Sequence, residues 1–288
     1  MKKNIKKLLK IIKTNSNRIK YRINDILKPN ALRAYWYSDV YNFGDAINPL
    51  VIQHFSHKDV TKVEPFLYNK QHYFVIGSIL GRVNKNSIVW GSGFISETDM
   101  FKERPLKIHA VRGPKTRKKL LDAGVDCPEV YGDPALLLPK LYNPKIKKIY
   151  SLGIIAHYFD KDNSWLQNNM NNNKIKIIDV SQSNPFGFID DILSCEKVVS
   201  SSLHGIITAD AYGIPAKWIK LSNKLHGGDF KFLDYFLSVK RKDTEAFVIN
   251  ADTSLDELNL LFNDSYKIQI DLDKLIQSCP FDISSRIV

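Results

Sequence analysis

The chain has 288 residues, 44% of them apolar, with 13 Tyr and 15 Phe, which is enough for one large or two medium folded domains and excludes a disordered chain. Three scattered cysteines, Cys127, Cys195 and Cys279, lack any metal-ligand spacing and read as structural thiols of a reduced, cytosolic protein. The net charge of +12 is concentrated: residues 1–28 hold ten of the 42 Lys and Arg and one acid, Asp25, so the other 260 residues carry only +3 and, with no nucleic-acid module signature, nucleic acid is excluded as the partner.

The basic segment is patterned. Ile5, Leu8, Leu9, Ile12, Ile19, Ile23 and Ile26 recur mostly at spacings of three and four, with lysines between them, so a basic amphipathic helix is expected, interrupted at "TNSN" (14–17). Lys10 and Lys13 break every apolar run, so the segment neither spans a bilayer nor forms the core of a signal peptide. It suits docking to an anionic membrane surface, where each basic residue contributes about 1 kcal/mol. A solvated helix packed on its own domain or on a partner is the alternative.

From residue 32 onward strands and helices alternate. "LRAYWY" (32–37) predicts a strand and "DAINPLVIQHF" (45–55) a helix; "HYFVIG" (72–77), "SIVWG" (87–91) and "KIHAVRG" (107–113) predict strands. A helix follows from Pro114 to its Gly124 cap. "LYNPKIKK" (141–148) reads as a linker. A second series then runs through strands "YSLGIIAHY", "KIKIIDV", "KVVS" and "AKWIK", with helices near 163–170 and at "PFGFIDDILSC", "HGIITADAYG" and "DFKFLDYFL"; 253–262 and 271–278 predict C-terminal helices. The expected fold is α/β: a basic helix over 1–29, then two Rossmann-like domains, 30–145 and 146–288, facing each other.

In such folds ligands bind beyond the carboxyl ends of the strands, and five loops there carry chemistry. "NFGD" sets Asn42 and Asp45 at a strand-to-helix turn beside Tyr35, Trp36, Tyr37 and Tyr41, which suit stacking on a sugar or a place in the core. "VIGSIL" and "VWGSGF" offer Gly77 with Ser78 and Gly91 with Ser92, glycines that admit close approach and hydroxyls that donate. Neither has P-loop or dinucleotide spacing. "AVRGPKTR" puts Arg112 before a helix start, suited to a carboxylate or phosphate, or to an interdomain salt bridge with a carboxylate such as Asp133 of "YGDPALL". "SSSLHG" (200–205) gathers Ser201, Ser202, His204 and Gly205 at another helix start, a site for an anion with His204 as a proton donor; serine capping is the plainer reading.

Taken in order, "NFGDAINPL", "VWGSGF", "AVRGPKTR", "GDPALLLP" and "SSLHGIITADAYGIP" resemble the polysaccharide pyruvyl transferase family, over about residues 42–215. The resemblance implies a GT-B-like pair of domains and a reaction in bacterial exopolysaccharide or capsule assembly. In that reaction the pyruvyl unit of phosphoenolpyruvate is transferred to two hydroxyls of one sugar residue, giving a cyclic ketal and phosphate, with no metal or nucleotide cofactor. It implies that Arg112 binds the donor and His204 is catalytic. Many members carry Arg two residues before that His, where this chain has Ser202; Arg82, Lys217 and Lys220 are candidates to replace that charge. Protonation of the methylene carbon needs an acid, for which His204 is the candidate. A carboxylate should help deprotonate the sugar hydroxyl, and the sequence does not choose between Asp45 and Asp133. The acceptor is a sugar, attractive as a lipid-linked oligosaccharide, and the expected location is the cytoplasm, at the inner face of the membrane. The rivals are a nucleotide-sugar glycosyltransferase of the same architecture, whose usual Glu "ADAYGIP" lacks, and a non-catalytic scaffold of polysaccharide assembly.

Overall fold

A computed structural model of the chain describes residues 16, 19–222, 224, 227–263 and 267–281. The expected basic helix lies largely outside them; of that segment, residues 19–27 are helical, here α1. This helix is tied to the body by its polar side chains. Asp25 accepts from Arg33 Nε at 2.9 Å and from the Tyr68 hydroxyl at 3.0 Å, and the Glu64 amide donates to the Tyr21 hydroxyl at 3.0 Å.

Among the described residues, ten strands form two five-stranded sheets. β1 (Leu32–Tyr35), β2 (Val60–Lys62), β3 (His72–Phe74), β4 (Ser87–Trp90) and β5 (Lys107–Ala110) lie in the order β2-β1-β3-β4-β5. β6 (Leu152–Ala156), β7 (Ile175–Asp179), β8 (Val198–Ser200), β9 (Ala216–Lys220) and β10 (Phe247–Val248) lie in the order β10-β9-β8-β6-β7. Every pairing is parallel, with Ala34 opposite Tyr73 in one sheet and Gly153 opposite Val198 in the other. Parallel sheets need both faces covered, and all five residues of β6 are buried. Read from the edges, both sheets have the same doubly wound order, in which the second strand lies outside the first and the third lies on its other side. The carboxyl ends of β1 and β3, and of β6 and β8, are therefore topological switch points, where such sheets bind ligands.

The helices are α2 (Phe43–Ala46), α3 (Asn48–Ser56), α4 (Pro114–Asp122), α5 (Leu138–Leu141), α6 (Ser164–Asn169), α7 (Pro185–Leu193), α8 (Leu203–Ala211), α9 (Phe230–Ser238), α10 (Leu255–Leu260) and α11 (Leu272–Gln277). The helix expected over 45–55 is two helices broken at Ile47. Pro49 has no N–H to bond the Asp45 carbonyl, and the Asn48 side-chain Nδ2 donates to it instead at 3.2 Å. Asn48 also exchanges two bonds with the Ile76 backbone, at 2.9 and 3.1 Å, and so fastens the break to the end of β3.

The two units share one apolar core. Phe43 stacks on Phe188 with ring centroids 4.1 Å apart, and the Phe43 amide donates to Val180 O at 2.8 Å. The chain end returns to the first sheet: the Trp90 indole donates to Leu275 O at 3.0 Å, and Phe281 meets the rings of Tyr73 and Trp90 at 5.0 and 5.9 Å.

Candidate active site

A cleft of about 510 Å³ lies between the two switch points. Tyr35, Tyr37, Gly77 and Ser78 come to it from the ends of β1 and β3, and His157, Tyr158, Ser202 and His204 from the ends of β6 and β8. Of the residues singled out in the sequence, Asn42, Asp45, Gly77, Ser78, Ser202 and His204 line it. Gly91, Ser92, Arg112, Asp133, Ser201 and Gly205 stand behind it.

His204 sits in the first turn of α8, and its ring lies against Gly44 of α2. A Cβ built on Gly44 would fall 2.1 Å from His204 Nδ1, so α2 beside the first sheet and the imidazole of α8 beside the second fit only because residue 44 has no side chain. The ring is 15% exposed, and its Nε2 lies 3.5 Å from Asp133 Oδ2. Both atoms are buried, and neither has a hydrogen-bond partner among the described residues. The other oxygen of Asp133 is engaged, accepting from the Ala135 amide at 2.9 Å at the start of the 134–137 turn. The pair is oriented but not closed.

Asp45 faces the same cleft. Burial pushes its carboxyl above the ordinary range, partly offset by a hydrogen bond from the Asn42 side chain and by the charges of His204 and Lys62. Asn42 caps α2, its side chain accepting from the Asp45 amide at 3.2 Å. At Gly77 φ is +120°, in the region that favours glycine, which turns the chain at the end of β3 toward the cleft.

Arg112 is fully buried. Its Nε and Nη2 each lie 3.0 Å from Asp234 Oδ2 of α9, Nη1 donates to Ser78 Oγ at 2.7 Å, and Nη2 donates to Phe94 O at 2.7 Å. Asp234 also accepts from the Thr116 amide at 2.8 Å and hydroxyl at 2.7 Å. The sequence weighed an interdomain salt bridge with a carboxylate such as Asp133; the structure pairs Arg112 with Asp234 of α9 instead. The guanidinium reaches the cleft only through Ser78.

Serine capping is not what Ser202 does: it occupies the N-cap of α8, and its side chain makes no capping bond. Ser201 is consumed internally, accepting from the His157 amide at 2.9 Å and donating to Asp160 at 3.1 Å. Gly205 lets α8 pack on Ser200 and Ile155, and Gly91 (φ +94°) admits Pro134. Ser92 is buried among them.

Sequence reasoning missed the second domain's contribution at β6. "HYF" (157–159) ends an apolar run, as the singled-out loops do, and its three rings pack at 4.2–5.1 Å on the cleft wall. Burial and the nearby Lys231 charge push the His157 imidazole down to about 3, so it is neutral at physiological pH. Lys231 was missed as well; it stands in an amphipathic helix with no motif around it. Of the three cations considered as replacements at Ser202, Arg82 lines the cleft and pairs with Glu64. Lys217 and Lys220 stand away from it, bridged to Asp243 at 3.1 Å and Asp229 at 2.8 Å.

The sequence profile of the family described as polysaccharide pyruvyl transferase matches residues 2–223. Uncharacterized protein L143 of Acanthamoeba polyphaga mimivirus is 35% identical over 208 residues, 70% of this chain and 71% of that protein. Succinoglycan biosynthesis protein ExoV of Rhizobium meliloti is 29% identical over 214 residues, covering 70% of this chain and 62% of ExoV. A crystal structure of an uncharacterized Klebsiella pneumoniae protein aligns with a TM-score of 0.45 at 12% identity, over 81% of this chain and 98% of that one.

Proposed function

Because the chain belongs to the polysaccharide pyruvyl transferase family, we propose that it transfers the pyruvyl unit of phosphoenolpyruvate to two hydroxyls of one sugar residue, forming a cyclic ketal and releasing phosphate. The observation that carries this reading is the pairing, across one cleft, of His204 at the start of α8 with the carboxyl of Asp45.

The chemistry assigns the residues different tasks. His204 delivers a proton to the methylene carbon of the donor, which makes C2 electrophilic. With Nε2 turned toward Asp133, Nδ1 is the nitrogen left to carry that proton. Asp133, fully buried behind the ring, is a positioning residue. Asp45 takes the proton of the attacking sugar hydroxyl, and its raised pKa makes it a stronger base than a solvated aspartate. The first hydroxyl adds at C2. Phosphate then leaves as the second hydroxyl closes the ketal, so one hydroxyl proton is balanced by the new methyl group and the other departs with phosphate. The free hydroxyl of Ser202 and the amides at the α8 N-terminus suit the leaving phosphate. The rings of Tyr37, Tyr158 and Phe159 line the same cleft and suit the face of an acceptor sugar. Incubation with phosphoenolpyruvate and a panel of sugar acceptors should release phosphate only when both are present. Turnover that instead requires a nucleotide sugar would move the chain to the glycosyltransferase reading, and silence across acceptors would favour the scaffold.

We further propose that α1 docks to an anionic membrane surface and brings the cleft to a lipid-linked acceptor. Among the described residues no helix is long and apolar enough to cross a membrane. Yet Ile19, Ile23, Ile26 and Leu27 are 58, 48, 77 and 71% exposed, beside Lys20 and Arg22, the composition of an interfacial helix. Ile26→Asp with Leu27→Asp should lower sedimentation with phosphatidylserine-containing liposomes several-fold and leave the Tyr21 and Asp25 anchors intact. Unchanged sedimentation would refute the docking face.

A further inference from the structure

We propose that Lys231 is the cation that receives the phosphate of the substrate in this cleft. The substrate's identity rests on the donor reading above; the anion site does not.

Lys231 is 8% exposed and lines the cleft from the first turn of α9, a helix of nine residues. Buried lysines are normally paired. This one has no carboxylate or hydrogen-bond acceptor among the described residues; its one recorded contact is the Phe232 ring, 5.5 Å from Nζ. The cations weighed above as partners of the anion are matched: Arg112 with Asp234, Arg82 with Glu64, Lys217 with Asp243 and Lys220 with Asp229.

Its surroundings oppose the charge from several sides. Burial strips its hydration, the Arg112 guanidinium adds a like charge from behind, and the α9 N-terminus adds the positive end of the helix dipole. Asp45, across the cleft, is the one group that favours the ammonium. His157, beside it, is neutral, and Asp234, one turn further along α9, is spent on Arg112 and Thr116. The result is a lysine lowered to about 8, still mostly protonated at pH 7 and facing a space where a dianion would complete it. Ser202, His204 and the start of α8 line the same cleft, so two helix N-termini, a hydroxyl and an ammonium bound the space. Nothing in the sequence around Lys231 announces this; the fold brings it there.

Isothermal titration calorimetry of the full chain with inorganic phosphate and with phosphoenolpyruvate tests the assignment. Lys231→Met, which keeps the buried stem, should weaken both ligands about 10- to 100-fold, the span of a lost bond to a charged group. Wild-type affinity for phosphoenolpyruvate, a phosphate dianion between pH 7 and 9, should fall across that window as Lys231 loses its proton. Lys231→Arg should bind with little change over the same range. Wild-type affinity for Lys231→Met, or no pH dependence in the wild type, would overturn the proposal, as would a wild type that binds neither ligand. A wild type that binds phosphate but not phosphoenolpyruvate, with the loss in Lys231→Met retained, would keep the anion site and sink the donor reading.

Discussion

Replacing Arg112 by Ala should lower the unfolding free energy by about 3–5 kcal/mol, the range for a buried charge that loses its partner. The arithmetic follows from what is left behind. Asp234 is fully buried and keeps only the Thr116 amide and hydroxyl, while Ser78 Oγ and Phe94 O lose their donor. The double change Arg112→Ala with Asp234→Ala removes both charges, so it should recover a substantial part of that loss despite the larger void. Urea unfolding of both variants measures the difference. A single variant as stable as the wild type would show that the guanidinium is not held as a structural clamp, and would return it to the role of a donor ligand. The resemblance to the family implies that ligand role, whereas the geometry spends every arm of Arg112 on protein.

His204→Ala should behave in the opposite way: unfolding changed less than in Arg112→Ala, turnover reduced by about 10²–10⁴, the usual contribution of a positioned acid. The ring makes no closed hydrogen bond, so what folding loses is its packing against Gly44. The Michaelis constant for the donor should move far less than kcat, because the groups proposed to hold the anion, Lys231 and Ser202, remain. Asp133→Asn should keep the ring in place and give a smaller loss, with a displaced pH–rate profile as the sign of a positioning role. Turnover of His204→Ala within tenfold of the wild type would remove the histidine from the chemistry.

Much of this was legible in the chain because short-range physics writes it there. Apolar runs ending in Gly or polar residues located eight of the ten strands, and the loops after them held Asn42, Asp45, Gly77, Ser78, Ser202 and His204, all on the cleft. The missed strands, β2 and β10, are edge strands with no buried residue, so no apolar run marks them, whereas β3 and β8, no longer than β2, are largely buried. Arg112 shows the other limit. Its chemistry was plain, but its partner lies 122 residues away, and a local pattern carries no information about which distant carboxylate the fold will deliver. Lys231 is the same case reversed: a position with unremarkable neighbours in sequence becomes the unmatched charge of the cleft in space. Asp45 and Asp133, equal in the sequence, differ in depth: one lines the cleft and the other is buried behind His204.

The return of residues 275–281 to Trp90 bears on how the protein is made. Domains usually fold as the ribosome delivers them, the first one first. Here the indole of Trp90 waits for Leu275, and the rings of Tyr73 and Trp90 wait for Phe281. The half that is synthesised first is therefore completed only once residues 275–281 have been made, and Tyr73 and Trp90 lack these partners until then. A truncation before Leu275 would therefore injure a strand 185 residues upstream.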